Sequence, residues 1–338
     1  MKEKNIKKNY ETIIYIIILI VILSCVFAFI RFRANFTEKY LIDYKYVFFD
    51  EGTANIINLK TGNTTSVEIE QFCKQEQQSV IWLQTTDRRY GDEERKVKEV
   101  CLTNESGETE VIFDTELLWD KAGVNVIYDI AYTENGRVIF TAGDSHLKNF
   151  FENLYLFEYT DNQEFVKLYD GNVENYFSVN ANELIFTTCP ENRDEIGEII
   201  ALNLFEDIPP EHRGYGDYLV YLNDEEALRF NRKHKMSVKE TENSPTLIYM
   251  DFDPESLEEG CIVPKRTPIV SEDGDIVLIC YVNSSWDTGL EGWTIGIYYV
   301  EENKLIDIYD YFRWIHLKKP DFDVEWHTKI SATLISAD

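Results

Sequence analysis

Basic side chains are scarce in this 338-residue chain: 33 Lys and Arg stand against 61 Asp and Glu, a formal charge of −28. That balance argues against a nucleic-acid-binding role, because phosphate contacts need a basic surface. Only eight Pro and 16 Gly occur, too few for a collagenous or low-complexity chain. None of the six Cys sits in a Cys-x-x-Cys pair, which removes support for zinc-ribbon and thioredoxin-like readings. The chain also lacks a Gly-x-Ser-x-Gly elbow, a P-loop and a His-Glu-x-x-His pair, the arrangements that activate a serine, cradle a phosphate or hold zinc. At 44% hydrophobic and 14% aromatic content, it has the means to build a packed core.

Charge vanishes altogether over one stretch. Ile13 to Ile30 are 18 residues without a charged side chain, preceded by Lys2, Lys4, Lys7 and Lys8 and closed by Arg31 and Arg33. At 1.5 Å per helical residue the run covers roughly 27 Å, close to the hydrocarbon thickness of a bilayer. It is read as an uncleaved single-pass anchor with boundaries at Ile13 and Ile30. Two alternatives stay open. A cleaved signal peptide has a shorter apolar region and a small-residue cleavage site. A lipoprotein signal is suggested by Ile22-Leu23-Ser24-Cys25, with Cys25 as the candidate lipidation site, although Val26 to Ile30 remain apolar where such proteins turn polar. The expected organisation is a basic tail over 1–12, the helix over 13–30, a linker over 31–43 and one β domain over 44–338. Four basic residues flank each end of the span, so the positive-inside rule is nearly balanced. Because long domains translocate largely regardless of charge, the expected address is the cell membrane with the domain on the extracytoplasmic side.

Residues 1–33 hold six of the basic and two of the acidic side chains, leaving 27 basic and 59 acidic groups beyond them, a net of −32. Such a body is repelled by anionic headgroups, and no polybasic run after Lys45 suggests a second membrane contact. Cys73, Cys101, Cys189, Cys261 and Cys280 are an odd set, and a domain this large needs no disulfide framework. Buried free thiols are expected.

Beyond the anchor, short apolar runs alternate with turn residues, and no helical periodicity of helical length competes. Strand sets begin near Tyr46, Ser79, Val126, Tyr176, Tyr218 and Pro268. Thr133-Glu-Asn-Gly136 precedes Arg137-Val-Ile-Phe140. Forty-six residues on, Val179-Asn-Ala-Asn182 precedes Glu183-Leu-Ile-Phe186, and 92 further on Ser271-Glu-Asp-Gly274 precedes Asp275-Ile-Val-Leu278. Asn223-Asp-Glu-Glu226 repeats the layout more loosely. A period of 40–50 residues holding about four strands is the mark of a β-propeller blade. About six four-stranded blades fit, with five or seven open. The alternative is a β-sandwich or two smaller β domains.

Ser271-Glu-Asp-Gly274 ahead of an apolar strand resembles the Ser-Pro-Asp-Gly turn of TolB-type, WD40-like propeller repeats, with Glu272 in place of Pro. Asn58-Leu-Lys-Thr-Gly62 resembles the turn of quinoprotein-like blades. The resemblance implies an interaction platform. Ser285-Trp-Asp-Thr-Gly289, with Trp293 beyond, is similar to the Asp-box of sialidase-type propellers, a turn-stabilising motif away from catalysis.

Reactive groups form no set. Asp251-Phe-Asp253-Pro-Glu255 and Asp321-Phe-Asp323-Val-Glu325 lack the Gly and Glu of a calcium loop. His146, His212, His234, His316 and His327 are scattered, with His212 and His327 as lone acid–base candidates. No catalytic, cofactor-binding or metal-binding residue is assigned, and no cofactor is expected. The reading is a non-catalytic, membrane-anchored binding or sensing module whose partner is a protein, peptide or glycan met through one loop face. Its alternative is a cell-surface carbohydrate-acting hydrolase, which needs two carboxylates about 5–10 Å apart.

Overall fold

The computed structural model describes residues 2–91, 95–133, 135–144, 154–160, 162–179, 183–189, 197–206, 208–215, 218–222, 226–230, 246–249, 267–285, 290–318 and 331–337. Outside them lie both acidic runs, Asp251 to Glu255 and Asp321 to Glu325, together with His146, His234, His327 and Cys261. The Asp-box core from Trp286 to Gly289, and Asn182 and Asn223 of the repeated turns, lie outside them too.

Helix α1 runs from Lys2 to Tyr40 without a break. No Gly or Pro occurs before Gly52, so nothing in the chain stops the helix at the end of the apolar run. Residues 31–40, expected as linker, are therefore helical and carry α1 about 15 Å past Ile30. From Tyr15 to Ile30 the apolar part is exposed, and α1 is long and apolar enough to cross a membrane.

The body is almost entirely β. After α1 come β1 (Tyr44–Asp50), β2 (Thr53–Asn58) and β3 (Thr64–Glu68), then α2 (Ile69–Glu76). A second sheet holds β4 (Val80–Tyr90), β5 (Arg95–Thr103) and β6 (Thr109–Asp114), followed by α3 (Thr115–Ala122). Next come β7 (Val126–Tyr132), β8 (Val138–Gly143), β9 (Leu154–Tyr159) and β10 (Phe165–Lys167), then β11 (Val173–Val179), β12 (Glu183–Thr188), β13 (Glu198–Asn203) and β14 (Glu211–Tyr215). The strand pairing between these two runs is the single pair of Val173 on β11 with Leu154 on β9. A further sheet contains β15 (Tyr218–Tyr221), β16 (Glu226–Phe230) and, parallel to β16, β17 (Thr246–Tyr249). The last consists of β18 (Ile269–Val270), β19 (Ile276–Ser285), β20 (Leu290–Tyr299) and β21 (Lys304–Asp307), followed by α4 (Ile308–Ile315). The final strand, β22 (Ser331–Ser336), returns to the first sheet and pairs antiparallel with β1, Leu334 opposite Tyr46.

The three short helices escape sequence reading because eight residues span barely two turns. Two carry an N-terminal cap that the sequence does show: Asp114 accepts from Leu117 N at 2.8 Å and Asp307 from Tyr309 N at 2.8 Å.

Why the strands read as unbroken apolar runs becomes clear from their two faces. Side chains alternate across a strand, and here both faces are covered. On β1, Val47 and Phe49 pack against Phe72, Val80 and Trp82, whereas Tyr46 and Phe48 pack against Ile276, Leu278 and Ile297. On β8, Phe140 joins Val100 and Phe113, and Ile139 joins Phe177 and Phe186. On β12, Leu184 and Phe186 face one way and Ile185 faces Tyr221. On β15, Tyr221 turns to that cluster and Val220 to Val277 and Tyr298. Each cluster joins one sheet or strand run to the next, and the one holding Ile276 joins the last to the first. Burial of each large apolar side chain contributes roughly 1.5–3 kcal/mol.

The repeated turns share one device. Ser271 and Thr133 each accept at their carbonyl from the N–H three residues on (Gly274, 2.9 Å; Gly136, 2.9 Å), and their hydroxyls accept from Ile276 N at 2.9 Å and Arg137 N at 3.0 Å. Gly274 has φ +77°, and a Cβ there would stand 2.9 Å from the Leu222 carbonyl oxygen of the neighbouring sheet, so Gly is needed on both counts. Asp273 of the same turn accepts from Ser271 Oγ at 2.6 Å, Asp275 N at 3.1 Å and Tyr44 Oη at 2.6 Å. The last bond ties the final sheet to β1. Burial alone would raise the Asp273 pKa, but these hydrogen bonds outweigh it and hold the carboxyl below its ordinary value. Burial, then Asp273 itself, pushes Tyr44 up to about 12.

Two measurements check this packing. Leu334→Ala on the buried face of β22 should cost about 2–5 kcal/mol in urea unfolding, and an unchanged midpoint would show that β22 contributes nothing. A carboxyl held low when folded stabilises above its unfolded pKa and loses that contribution as pH falls through its folded value. Tyr44→Phe should therefore destabilise more at about pH 7 than at about pH 3; equal losses at both would contradict the Asp273 bond.

Candidate functional site

A cavity of about 480 Å³ opens where edge strands converge. Tyr46 and Phe49 of β1, Leu278 of β19 and Ile295 of β20 reach its wall, and the other strand residues there come from β22 (Ala332, Thr333), β4 (Val80, Ile81), β7 (Ile130, Ala131), β11 (Phe177, Ser178), β15 (Val220, Tyr221) and β18 (Ile269, Val270). Each of these last six strands is the terminal one in its own sheet or run, except that β11 also pairs with β9 as described above. One side of its backbone is therefore mostly without a strand partner, which leaves N–H and C=O groups to be satisfied in the cavity. Neighbouring edges touch: β4 with β7, β7 with β11, β11 with β15, and β22 with β4, β7 and β18.

Among the described residues lining the cavity there is one carboxylic acid, Asp129, and no Lys, Arg or His. Asp129 is buried, and the register of β7 against β8 shifts between Ile127 and Asp129. A bulge of this kind re-aims a side chain. Asp129 Oδ1 accepts from Ile130 N at 2.9 Å, and Oδ2 accepts from Thr267 N at 3.1 Å and lies against the Thr267 hydroxyl. Thr267 Oγ1 also lies 2.8 Å from the Phe177 carbonyl oxygen and accepts from Phe177 N at 3.2 Å. Thr267, just ahead of β18, thus straps the last sheet to β7 and β11 across the cavity. Hydroxyls of Ser79, Thr133, Ser178, Ser331 and Thr333 and the amides of Gln78 and Asn135 supply the other polar groups.

Behind Tyr221 the buried Arg213 guanidinium meets two partly exposed carboxylates. Arg213 Nη2 donates to Glu183 Oε1 at 2.8 Å and to Glu211 Oε2 at 3.0 Å, and the Tyr221 hydroxyl donates to Glu183 Oε2. Burial, with the Glu183 carboxylate adding to it, pushes the Tyr221 phenol far above its ordinary value. The phenol stays neutral and acts as a donor that fixes the Tyr221 ring at the cavity wall.

The residues singled out from sequence lie elsewhere. His212 is on β14 beside Arg213 and does not line the cavity. His316 Nε2 sits 2.8 Å from the Leu59 carbonyl oxygen, and burial lowers its pKa, so it is a neutral clasp between α4 and the turn at Gly62. Trp82 is buried and donates to Thr103 Oγ1 at 3.0 Å. Cys73 and Cys101 are buried free thiols, each pushed by burial up to about 11. Cys25 is exposed on α1. Among the described residues, no three His, Cys, Asp or Glu side chains are grouped to hold a metal ion. Among the described residues of the cavity wall Asp129 is the one carboxylate, so they include no pair of the kind glycoside hydrolysis needs. Sequence reading missed Asp129 and Thr267. The available signal was Asp129 itself, one acid inside the otherwise uncharged strand Val126-Ile-Tyr-Asp-Ile-Ala-Tyr132.

No family model matches the chain, and no curated protein matches it. Among solved structures it is similar to a luciferin-regenerating enzyme, at 8% identity, over 87% of this chain and 88% of that one, with a TM-score of 0.35. It is also similar to a puromycin-hydrolyzing peptidase of Mycobacterium tuberculosis (10% identity, 78% of this chain, 45% of that one, TM-score 0.36) and to the Pyrococcus horikoshii acylaminoacyl peptidase (11%, 81%, 44%, 0.36). The chain spans less than half the length of either peptidase. A likeness at this level transfers neither an activity nor a residue. It does correct two expectations. None of the three named is a TolB-type or WD40-like repeat protein, and the Ser271 to Gly274 turn that suggested such repeats is a self-capped turn with a counterpart at Thr133. All three carry enzyme names, against the expectation that the chain is not an enzyme, and that expectation is withdrawn.

Proposed function

We propose that the protein is a membrane-anchored β-propeller of six blades, closed by β22 on β1, whose central cavity takes a small neutral or cationic molecule as ligand or substrate. The convergence of five edge strands and β11 around a wall whose described residues include one carboxylate and no cation carries the reading. A cavity of this size matches a drug-sized molecule or the end of a peptide. A negative group there, inside a body of net charge −32, concentrates cations and repels anions. In this reading the tail over 1–12 lies inside, residues 13–30 span the membrane, and the body over 44–338 faces outward.

Thermal unfolding of the full chain with alkyl amines and amidated dipeptides, against the matching carboxylates, tests the cavity. At one hundred times Kd a bound amine should add about 2.7 kcal/mol of stability, and the carboxylates none. Ala131→Leu, which fills the cavity, should abolish the shift. Asp129→Asn should weaken amine binding about tenfold or more. Equal stabilisation by carboxylates, or an undiminished shift in the Ala131→Leu protein, would refute the assignment.

Orientation needs an exposed handle, since Cys73 and Cys101 are buried. Val111 is exposed on β6, and Val111→Cys should react with an impermeant maleimide on intact cells. Reaction only after lysis would place the body inside.

A further inference from the structure

The end of α1 does not leave the body freely. Tyr40 is buried, and its carbonyl accepts from Tyr299 Oη at 2.6 Å. Phe36 packs against Tyr40 in a tilted ring pair with centroids 4.9 Å apart. Arg33 donates to the carbonyls of Trp314 at 3.3 Å and Ile315 at 2.9 Å, a cation on the last turn of α4 where the helix dipole is negative. The two helices are thus locked together at the point where α1 meets the body.

Trp314 lies along that junction. Its ring is 5.1 Å from Phe32 and 6.1 Å from Phe29, centroid to centroid. Phe29 belongs to the uncharged run, one residue before its end at Ile30. Whatever depth the end of the span has, Trp314 shares it. The Arg313 guanidinium stands 5.3 Å from the Trp314 ring, Arg31 is exposed on α1, and Leu317, just past α4, is 56% exposed. An indole with a basic neighbour and an exposed leucine is the composition of a membrane–water interface.

We propose that the C-terminal end of α4 is a membrane-contacting surface, with Trp314 and Leu317 seated in the headgroup layer and Arg313 and Arg31 facing anionic lipid phosphates. This rests on the reading that α1 spans the bilayer to Ile30. The body, repelled elsewhere by anionic lipid through its net charge, is held at the surface in one fixed orientation by this local basic and aromatic edge.

The test uses full-length protein reconstituted in vesicles of phosphatidylcholine and phosphatidylglycerol, with bromine placed near the headgroup or at the chain end. Shallow bromines should quench a part of the tryptophan emission that Trp314→Phe removes, and deep bromines should not quench that part. A dye on Leu317→Cys, in a Cys25→Ser background read against that background alone, should show the same shallow quenching, and it serves if Trp314→Phe fails to fold. Protein that floats with the vesicles but shows no shallow quenching from either probe would overturn the docking surface and leave the anchor standing. Protein that does not float would overturn the anchor and the surface with it.

Discussion

Two-faced burial is the constraint on which this structure depends. A sheet whose strands read Tyr46-Val-Phe-Phe49 or Val138-Ile-Phe-Thr-Ala-Gly143 cannot leave either face in water. Every large side chain exposed on one face would forfeit roughly 1.5–3 kcal/mol, so each sheet requires two neighbours. A linear stack would end in two bare faces. Pairing β22 with β1 and packing Tyr46 and Phe48 against Ile276 and Leu278 supplies the missing neighbour at both ends at once. The Tyr44 to Asp273 bond adds a polar tie across the same joint.

In the proposed ring, closure also generates the cavity. When sheets meet through their faces, their first strands meet through edges, and backbone groups there have no partner of their own. The protein resolves part of this with side chains: Thr267 answers both Asp129 and Phe177, and Ser178 Oγ accepts from Tyr221 N at 3.3 Å. What remains is a wall that mixes apolar side chains with hydroxyls, amides and backbone, and among its described residues carries a single negative charge. The proposed ligand chemistry follows from that imbalance, and under the proposed docking the geometry at α4 sets how the cavity is presented to the membrane.

Much of the architecture is legible in the sequence because it is local. The uncharged run from Ile13 to Ile30 stands out by composition. Strands betray themselves through apolar runs, and the turns at Thr133 and Ser271 through a hydroxyl three residues ahead of a Gly. What escapes reading is either too short or too distant. Helices α2, α3 and α4 offer two turns each, less than a period can resolve. Residues 31–40 look like a linker because their polar content ends the membrane signal, yet nothing in them breaks a helix. Thr267 and Asp129 are 138 residues apart, and Arg33 and Ile315 are 282 apart. Neither pair leaves a trace along the chain. The Ser-Glu-Asp-Gly resemblance failed for the opposite reason: a turn that caps itself is favoured by local hydrogen bonding and occurs without shared ancestry.

Hydrogen exchange over residues 331–336 tests the central claim most directly. If β22 closes the body onto β1, its amides open only with global unfolding, and their protection equals that of β1. Exchange of 331–336 as fast as a frayed terminus, while β1 stays protected, would show that the first and last sheets do not depend on one another and would contradict the account.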